Sequence, residues 1–250
     1  MSYISYQHVD KAFGTQVICQ DFNLEIDKGE RVCIIGPSGA GKTVTIKMLI
    51  GLLEPDAGEI HFDGINFASF KRDEDYLPVR KRIAMVFQGA ALFDSMTVFD
   101  NVAYGLANLN VPENEIKDKV EEKLEWVGLK EALNKMPSEL SGGMKKRIGL
   151  ARAIATDPEV VLYDEPTAGL DPITTVRIVE LIMSLQEKLK STAVMVTHDI
   201  PAVLRMSTKV AFLYQGQIRA LGPIHELMTH SDPFVRGFLN SDPNLTDIIN

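Results

Sequence analysis

Eight consecutive residues, Gly36-Pro37-Ser38-Gly39-Ala40-Gly41-Lys42-Thr43, have the types and spacing to grip a polyphosphate. They fit the pattern glycine, four residues, glycine, lysine, serine or threonine. Glycines permit positive φ, so backbone N–H groups can approach phosphate oxygens. The loop runs into the start of an expected helix, where free amides favour anions. Lys42 brings a point charge to the β- and γ-phosphates, and the Thr43 hydroxyl suits Mg2+, which takes near-octahedral oxygen ligands. Thr45 is counted with this group. A glycine turn alone says little, but strand, loop and helix in this order make chance a poor account.

A second group follows later in the chain. Val160-Val161-Leu162-Tyr163-Asp164-Glu165 is an apolar run ending in two acids. In a parallel sheet, strand ends meet at one edge, where ligands bind. There Asp164 can hold Mg2+ and Glu165 can polarise an attacking water. Between the two groups, Ser141 is a good helix N-cap, and Gly142-Gly143 leave the next amides exposed, which makes a second anion site.

These residues need a scaffold, and the hydrophobic pattern supplies one. Residues 3–26 read as short strands with turns, and residues 31–35 as a buried strand feeding the phosphate loop. From Thr43, apolar residues keep helical spacing until Gly51 and Pro55. Residues 59–67 suggest another strand pair around Asp63-Gly64. The texture turns helical over 89–157, with Ile116, Val120, Leu124 and Val127 on one face of 113–127. Strand-like runs return at 160–163, 193–196 and 210–214, separated by helical stretches at 172–190 and 201–206. Strands alternating with helices imply a parallel sheet with right-handed crossovers. The helical block interrupts that pattern as an insertion. Beyond residue 231 the chain holds Asp-Pro steps and few apolar anchors, which reads as a tail.

Composition sets the outer limits. The chain has 250 residues, 26 Lys+Arg against 34 Asp+Glu, and a net charge of -8. That excludes a disordered or fibrous protein and argues against binding nucleic acid or anionic lipid by charge. Two cysteines, Cys19 and Cys33, are too few for a disulfide framework or a cysteine-rich metal site, and they read as small buried hydrophobes. No run approaches the roughly 18 apolar residues that span a bilayer. With no leader pattern at the N-terminus, the chain reads as soluble and intracellular. Trp126 is expected in the core, Lys145-Lys146-Arg147 on a solvated helix face, and His8, His61, His225 and His230 on the surface.

Six motifs in order resemble those of the ATP-binding-cassette (ABC) ATPases. They are the phosphate loop, Gln88 after an apolar strand, Leu140-Ser141-Gly142-Gly143-Met144, the acid pair, Ala168-Gly169-Leu170-Asp171, and Thr197-His198-Asp199. The resemblance extends to about residue 222. It implies an α/β P-loop NTPase with a RecA-like core and mostly parallel sheet, an N-terminal antiparallel β subdomain and an inserted α-helical subdomain. Residues 1–225 would form one ATPase domain, with 1–88 and 158–225 as core plus β subdomain and 89–157 as the helical part. Residues 226–250 would be a C-terminal tail.

The resemblance also implies roles. Phe13 sits where the family stacks an aromatic ring on adenine. Gln88 would touch Mg2+ and the water while sensing a membrane partner. Glu165 matches the catalytic base, His198 the histidine at the γ-phosphate, and Asp171 the loop linking two active sites. Ser141, Gly142, Gly143 and Met144 would close on the nucleotide of a second copy, giving a head-to-tail homodimer around two ATP molecules.

A lone cassette without a membrane span is similar to the detached ATPase of a transporter with a separate permease. Met144 stands where most of the family has Gln. The stretches 89–104, 136–144, 164–173 and 232–239 resemble the Mla type, the ATPases of Mce-associated phospholipid transporters. This implies permease subunits, an Mce-domain protein, a small STAS-type subunit, a tail strapping the partner ATPase, and a peripheral location on the inner face of the cell membrane. Other transporter classes and the iron–sulfur assembly ATPase are the rivals. Leu92, Phe93, Met96, Val98 and Phe99 are too apolar for a simple loop and read as a groove for an amphipathic permease helix.

Overall fold

The computed structural model describes residues 2–242. In chain order its strands are β1 (Ile4–Phe13), β2 (Gln16–Ile26), β3 (Arg31–Ile35), β4 (Ala57–Phe62), β5 (Ile65–Asn66), β6 (Ile83–Val86), β7 (Val160–Asp164), β8 (Thr192–Val196), β9 (Lys209–Tyr214) and β10 (Gln217–Gly222). Its α-helices are α1 (Lys42–Leu49), α2 (Leu77–Arg80), α3 (Val98–Asn108), α4 (Glu113–Trp126), α5 (Gly142–Ile154), α6 (Pro172–Leu189), α7 (Ile200–Met206), α8 (Ile224–Leu227) and α9 (Pro233–Leu239). The described residues divide into two compact units, 2–77 with 194–242 and 78–193.

The first unit contains an antiparallel sheet in the order β2-β1-β4-β5. Along β2, Phe22, Leu24 and Ile26 are buried while Asn23 and Glu25 are exposed, the period-two pattern of a half-buried strand. Ile4 of β1 pairs with Ile26 on one side and Phe62 on the other. In the same unit β3 and β9 run parallel, from Val32 opposite Lys209 to Ile35 opposite Phe212. Residues 32–35 and 210–213 are fully buried, as expected where a parallel sheet is covered on both faces. β10 pairs antiparallel with β9. Cys19 and Cys33 are buried, and burial pushes each thiol up to about 12.

Residues 226–239, expected as the start of a tail, pack into this unit instead. Leu227, Phe234, Val235 and Leu239 are buried, and the Phe234 ring lies 4.4 Å from that of Tyr214 and 5.8 Å from that of Phe212. Asp232 caps α9 by accepting from the Phe234 amide at 2.8 Å. The rest of the expected tail, 243–250, lies outside the described residues.

In the second unit β6 and β7 run parallel, from Ile83 opposite Val160 to Val86 opposite Tyr163. Arg82 steadies their start through Glu159, with Nε donating at 2.5 Å and Nη2 at 3.1 Å. Helices α3 to α6 make up most of the rest. Thr97 opens α3 with a capping box that uses Asp100. Lys123 on α4 is only 2% exposed and is ion-paired to Asp157 at 2.6 Å.

The expected α/β architecture is present, with an antiparallel sheet near the N-terminus and a helical insertion. Four elements lie outside the sequence-based expectations, namely α2, β10, α8 and α9, and α3 falls within the helical stretch 89–157. Trp126 is half-exposed and not in the core, because it ends α4 with the Lys123 ammonium 3.7 Å from its ring centroid. Among the described residues no helix is long and apolar enough to cross a membrane.

Candidate active site

In the first unit the phosphate loop joins β3 to α1. Lys42 is 8% exposed, and its Nζ donates to the carbonyls of Gly36 at 2.9 Å and Pro37 at 3.0 Å. The ammonium group therefore sits inside the curl of the loop. Two glycines are dictated by space as well as by φ. A methyl on Gly36 (φ 152) would stand 2.1 Å from the Leu213 carbonyl oxygen, and one on Gly41 (φ 97) 2.7 Å from Ile18 Cγ2. Gly39 also has positive φ, and Ser38 and Ala40 complete the turn, with the Ala40 amide donating to the Pro37 carbonyl at 3.2 Å. Thr43 lies in the first turn of α1 and is half-buried.

Thr45 does not join this group. It is fully buried, and its hydroxyl donates to the Lys42 carbonyl at 2.7 Å. Its position on α1 turns it toward the core, where its own carbonyl accepts from the Tyr6 hydroxyl at 3.0 Å.

Phe13 ends β1 with 48% of its surface exposed, and the Lys11 ammonium lies 5.5 Å from its ring centroid. An exposed aromatic face suits stacking on a planar group. His198 is exposed in the turn between β8 and α7. The Asp199 amide donates to the Thr197 hydroxyl at 3.0 Å, and the Asp199 carboxylate caps α7 at the Ala202 amide. The turn is thus fixed on both sides of the imidazole.

In the second unit Asp164, 8% exposed, closes β7, and Glu165 follows it at φ 45. A side chain in that left-handed conformation costs about 1 kcal/mol or more and persists where surroundings enforce it, commonly at functional sites. Gln88 is exposed after β6, and its backbone carbonyl accepts from Lys146 Nζ.

Ser141 caps α5, as expected, accepting from the Met144 amide at 3.3 Å. The amides of Gly142 and Gly143 are first-turn donors without intrahelical acceptors. Asp171 caps α6 and accepts from the amides of Ile173 and Thr174, each at 3.0 Å. The Thr174 hydroxyl and these amides hold its carboxyl below the usual carboxylate range. The caps of α5 and α6 line one cleft of about 710 Å³, together with Trp126, Arg147 and Arg177.

The first unit thus contains Phe13, residues 36–43 and His198. The second contains Gln88, residues 141–144, Asp164, Glu165 and Asp171. In the first, a lysine and a helix N-terminus fit a polyphosphate, and Thr43 supplies a hydroxyl oxygen for a hard cation. In the second, Asp164 and Gln88 supply the oxygen donors that Mg2+ prefers.

Two contributions escaped the sequence reading. Lys146 and Arg147 are not on a solvated face, since Arg147 donates to the Val127 carbonyl at 3.3 Å. Asn101 is fully buried, accepts from the Phe93 amide and donates to the carbonyls of Phe93, Met96 and Thr97. It shapes the loop that leaves Phe93 40% exposed.

The ABC transporter family matches residues 19–168. The chain is 44% identical to the intermembrane phospholipid transport system ATP-binding protein MlaF of Escherichia coli (strain K12), over 91% of this chain and 84% of that protein. It is 40% identical to the probable ribonucleotide transport ATP-binding protein mkl of Mycobacterium leprae (strain TN), over 95% of this chain and 68% of that protein. Among solved structures, cbiO1 of Clostridium perfringens, part of the ABC transporter complex cbiONQ, superposes with a TM-score of 0.84 at 28% identity, covering 99% of this chain and 98% of that one. The ATP-binding cassette MJ0796, a dimer in a post-hydrolysis state with ADP and Pi, gives 0.79 at 30% identity, covering 88% and 98%.

Proposed function

The chain belongs to the ABC transporter ATPase family, and on that premise we propose that it powers a separate permease that moves phospholipid between membranes. The observation that carries this reading is the 44% identity to the MlaF protein over 91% of the chain. The ATPase chemistry is the family's, and the residues suited to it are present. Lys42 and the α1 N-terminus bind the β- and γ-phosphates, and Phe13 stacks on the base. Glu165 accepts the proton of the attacking water, and His198 contacts the γ-phosphate. Thr43, Asp164 and Gln88 would hold Mg2+, which neutralises charge on the phosphates.

In this reading two copies close head to tail, with residues 141–144 of each against the nucleotide of the other. To move from 1:99 open to 99:1 closed, ATP must favour the closed form by about 5.5 kcal/mol. Residues 1–225 act as one ATPase domain, to which α9 adds a docked helix. The permease holds the protein at the cytoplasmic face of the membrane, and an Mce-domain protein and a STAS-type subunit complete the assembly. The mkl relative, named for ribonucleotide transport, supports a second cargo reading.

The test is copurification from native membranes with identification of the bound cargo, together with Glu165→Gln. Bound phospholipid supports the reading, and bound ribonucleotide moves the assignment to the second cargo. Glu165→Gln is expected to bind ATP, accumulate as a dimer and lose at least about 100-fold in turnover. Wild-type turnover in that variant would remove Glu165 from its role.

A further inference from the structure

Helix α5 carries residues 141–144 at its start. One turn in, it also grips another part of the second unit. Lys146, Gly149 and Arg152 are spaced three apart and share a face of the helix. All three meet the backbone that follows β6. Lys146 Nζ donates to the Gln88 carbonyl. Arg152 donates from Nη2 to the Ala90 carbonyl at 2.8 Å and from Nη1 to the Ala91 carbonyl at 2.6 Å. Between them Gly149 provides the clearance, since a methyl there would stand 3.2 Å from Ala90 Cβ and 3.3 Å from its Cα and carbonyl oxygen.

The gripped segment is held in a costly shape. Ala90 and Ala91 lie at φ 61 and φ 48. Left-handed alanine is disfavoured by about 1–2 kcal/mol per residue, so two in succession need external support. The donors of Lys146 and Arg152 supply it. The segment then leads to exposed Phe93, whose ring centroid lies 5.7 Å from Arg152 Cζ. Lys146 also lies in the field of Glu165. Burial lowers its pKa, and the Glu165 charge opposes that.

We propose that Lys146, Gly149 and Arg152 form a clasp that makes the first turn of α5 follow the 88–91 backbone, with Lys146 a positioning residue for ATP hydrolysis. The proposal rests on the ATPase reading above. Lys146 transfers no proton and touches no phosphate. It holds Gln88, and through its helix the 141–144 turn, in one mutual arrangement. A displacement at the Phe93 end is then felt at both.

The test compares wild type, Lys146→Met and Lys146→Arg as full chains copurified with the permease. ATP turnover is measured across ATP concentrations, and amide hydrogen exchange is measured without nucleotide. Lys146→Met keeps the aliphatic stem and loses the donor. It is expected to lose about tenfold in kcat with KM for ATP within about twofold, as for misplaced groups. Lys146→Arg is expected to restore most of kcat. Exchange in Lys146→Met should rise at 88–91 and in the first turn of α5 together. Normal kcat in Lys146→Met, a loss confined to KM, equal loss in both variants, or faster exchange at 88–91 alone would each overturn the clasp. If Lys146→Met does not fold, Lys146→Leu, which also lacks a donor, takes its place with the same outcomes. A wild-type complex that hydrolyses no ATP would defeat the ATPase reading, and the exchange measurement would still decide whether the clasp exists.

Discussion

Tyr163 stands on β7 immediately before the acid pair, fully buried, and its hydroxyl has no hydrogen-bond partner among the described residues. Burial holds its phenol well above the usual value. An orphaned buried polar group costs about 1–3 kcal/mol, so removing it is nearly free. Tyr163→Phe is expected to match wild-type stability or exceed it by up to about 1 kcal/mol, with ATP turnover retained. Urea unfolding checks this, and a clear loss of stability would reveal a partner for the hydroxyl. At this scale the sequence was informative where residue types make sense only in a site, as in the lysine of a glycine loop or two acids after an apolar strand. It was blind to direction. Nothing in Lys42-Thr43-Val44-Thr45 says that the second threonine turns inward. A Lys-Lys-Arg run likewise looks the same whether water or a carbonyl accepts its hydrogen bonds.

At the scale of elements, α9 shows how a short helix is anchored. Arg219 donates from Nε to Asp232 at 2.5 Å, and its guanidinium lies 5.1 Å from the Phe234 ring and 5.3 Å from that of Tyr214. The ion pair is partly exposed and contributes little, typically about 1 kcal/mol or less. The buried ring is the anchor. Phe234→Ala is expected to destabilise the fold by about 3 kcal/mol or more, read as a lower denaturation midpoint. A change under about 1 kcal/mol would mean that α9 is dispensable to its unit. The signal for this helix was present, since Asp232-Pro233 is an N-cap followed by proline at the first helical position. Seven residues are too few for periodicity to outweigh the polar residues around them. β3, β7, α1 and α6 were legible because a long apolar run or a full helical period leaves one reading.

For the whole molecule, a net charge of -8 and exposed aromatics point to docking by protein surface and not by lipid charge. Phe93 and Tyr104 are 40% and 44% exposed, with ring centroids 4.8 Å apart. An aromatic pair of this kind is a typical interface anchor. Phe93→Asp is expected to spare ATP binding and cut copurification with the permease by at least about tenfold. Normal copurification would take this patch out of the interface. The sequence marked the segment as apolar, but only the Asn101 hydrogen bonds show why Phe93 faces out. The second unit also holds the chain's single tryptophan. Trp126 has the ammonium groups of Lys123 and Lys188 at 3.7 Å and 5.0 Å from its ring centroid and lies on the wall of the cleft that Ser141 and Asp171 share. Indole emission from this protein therefore comes from one place. A fluorimeter can follow arrivals at that cleft without a label.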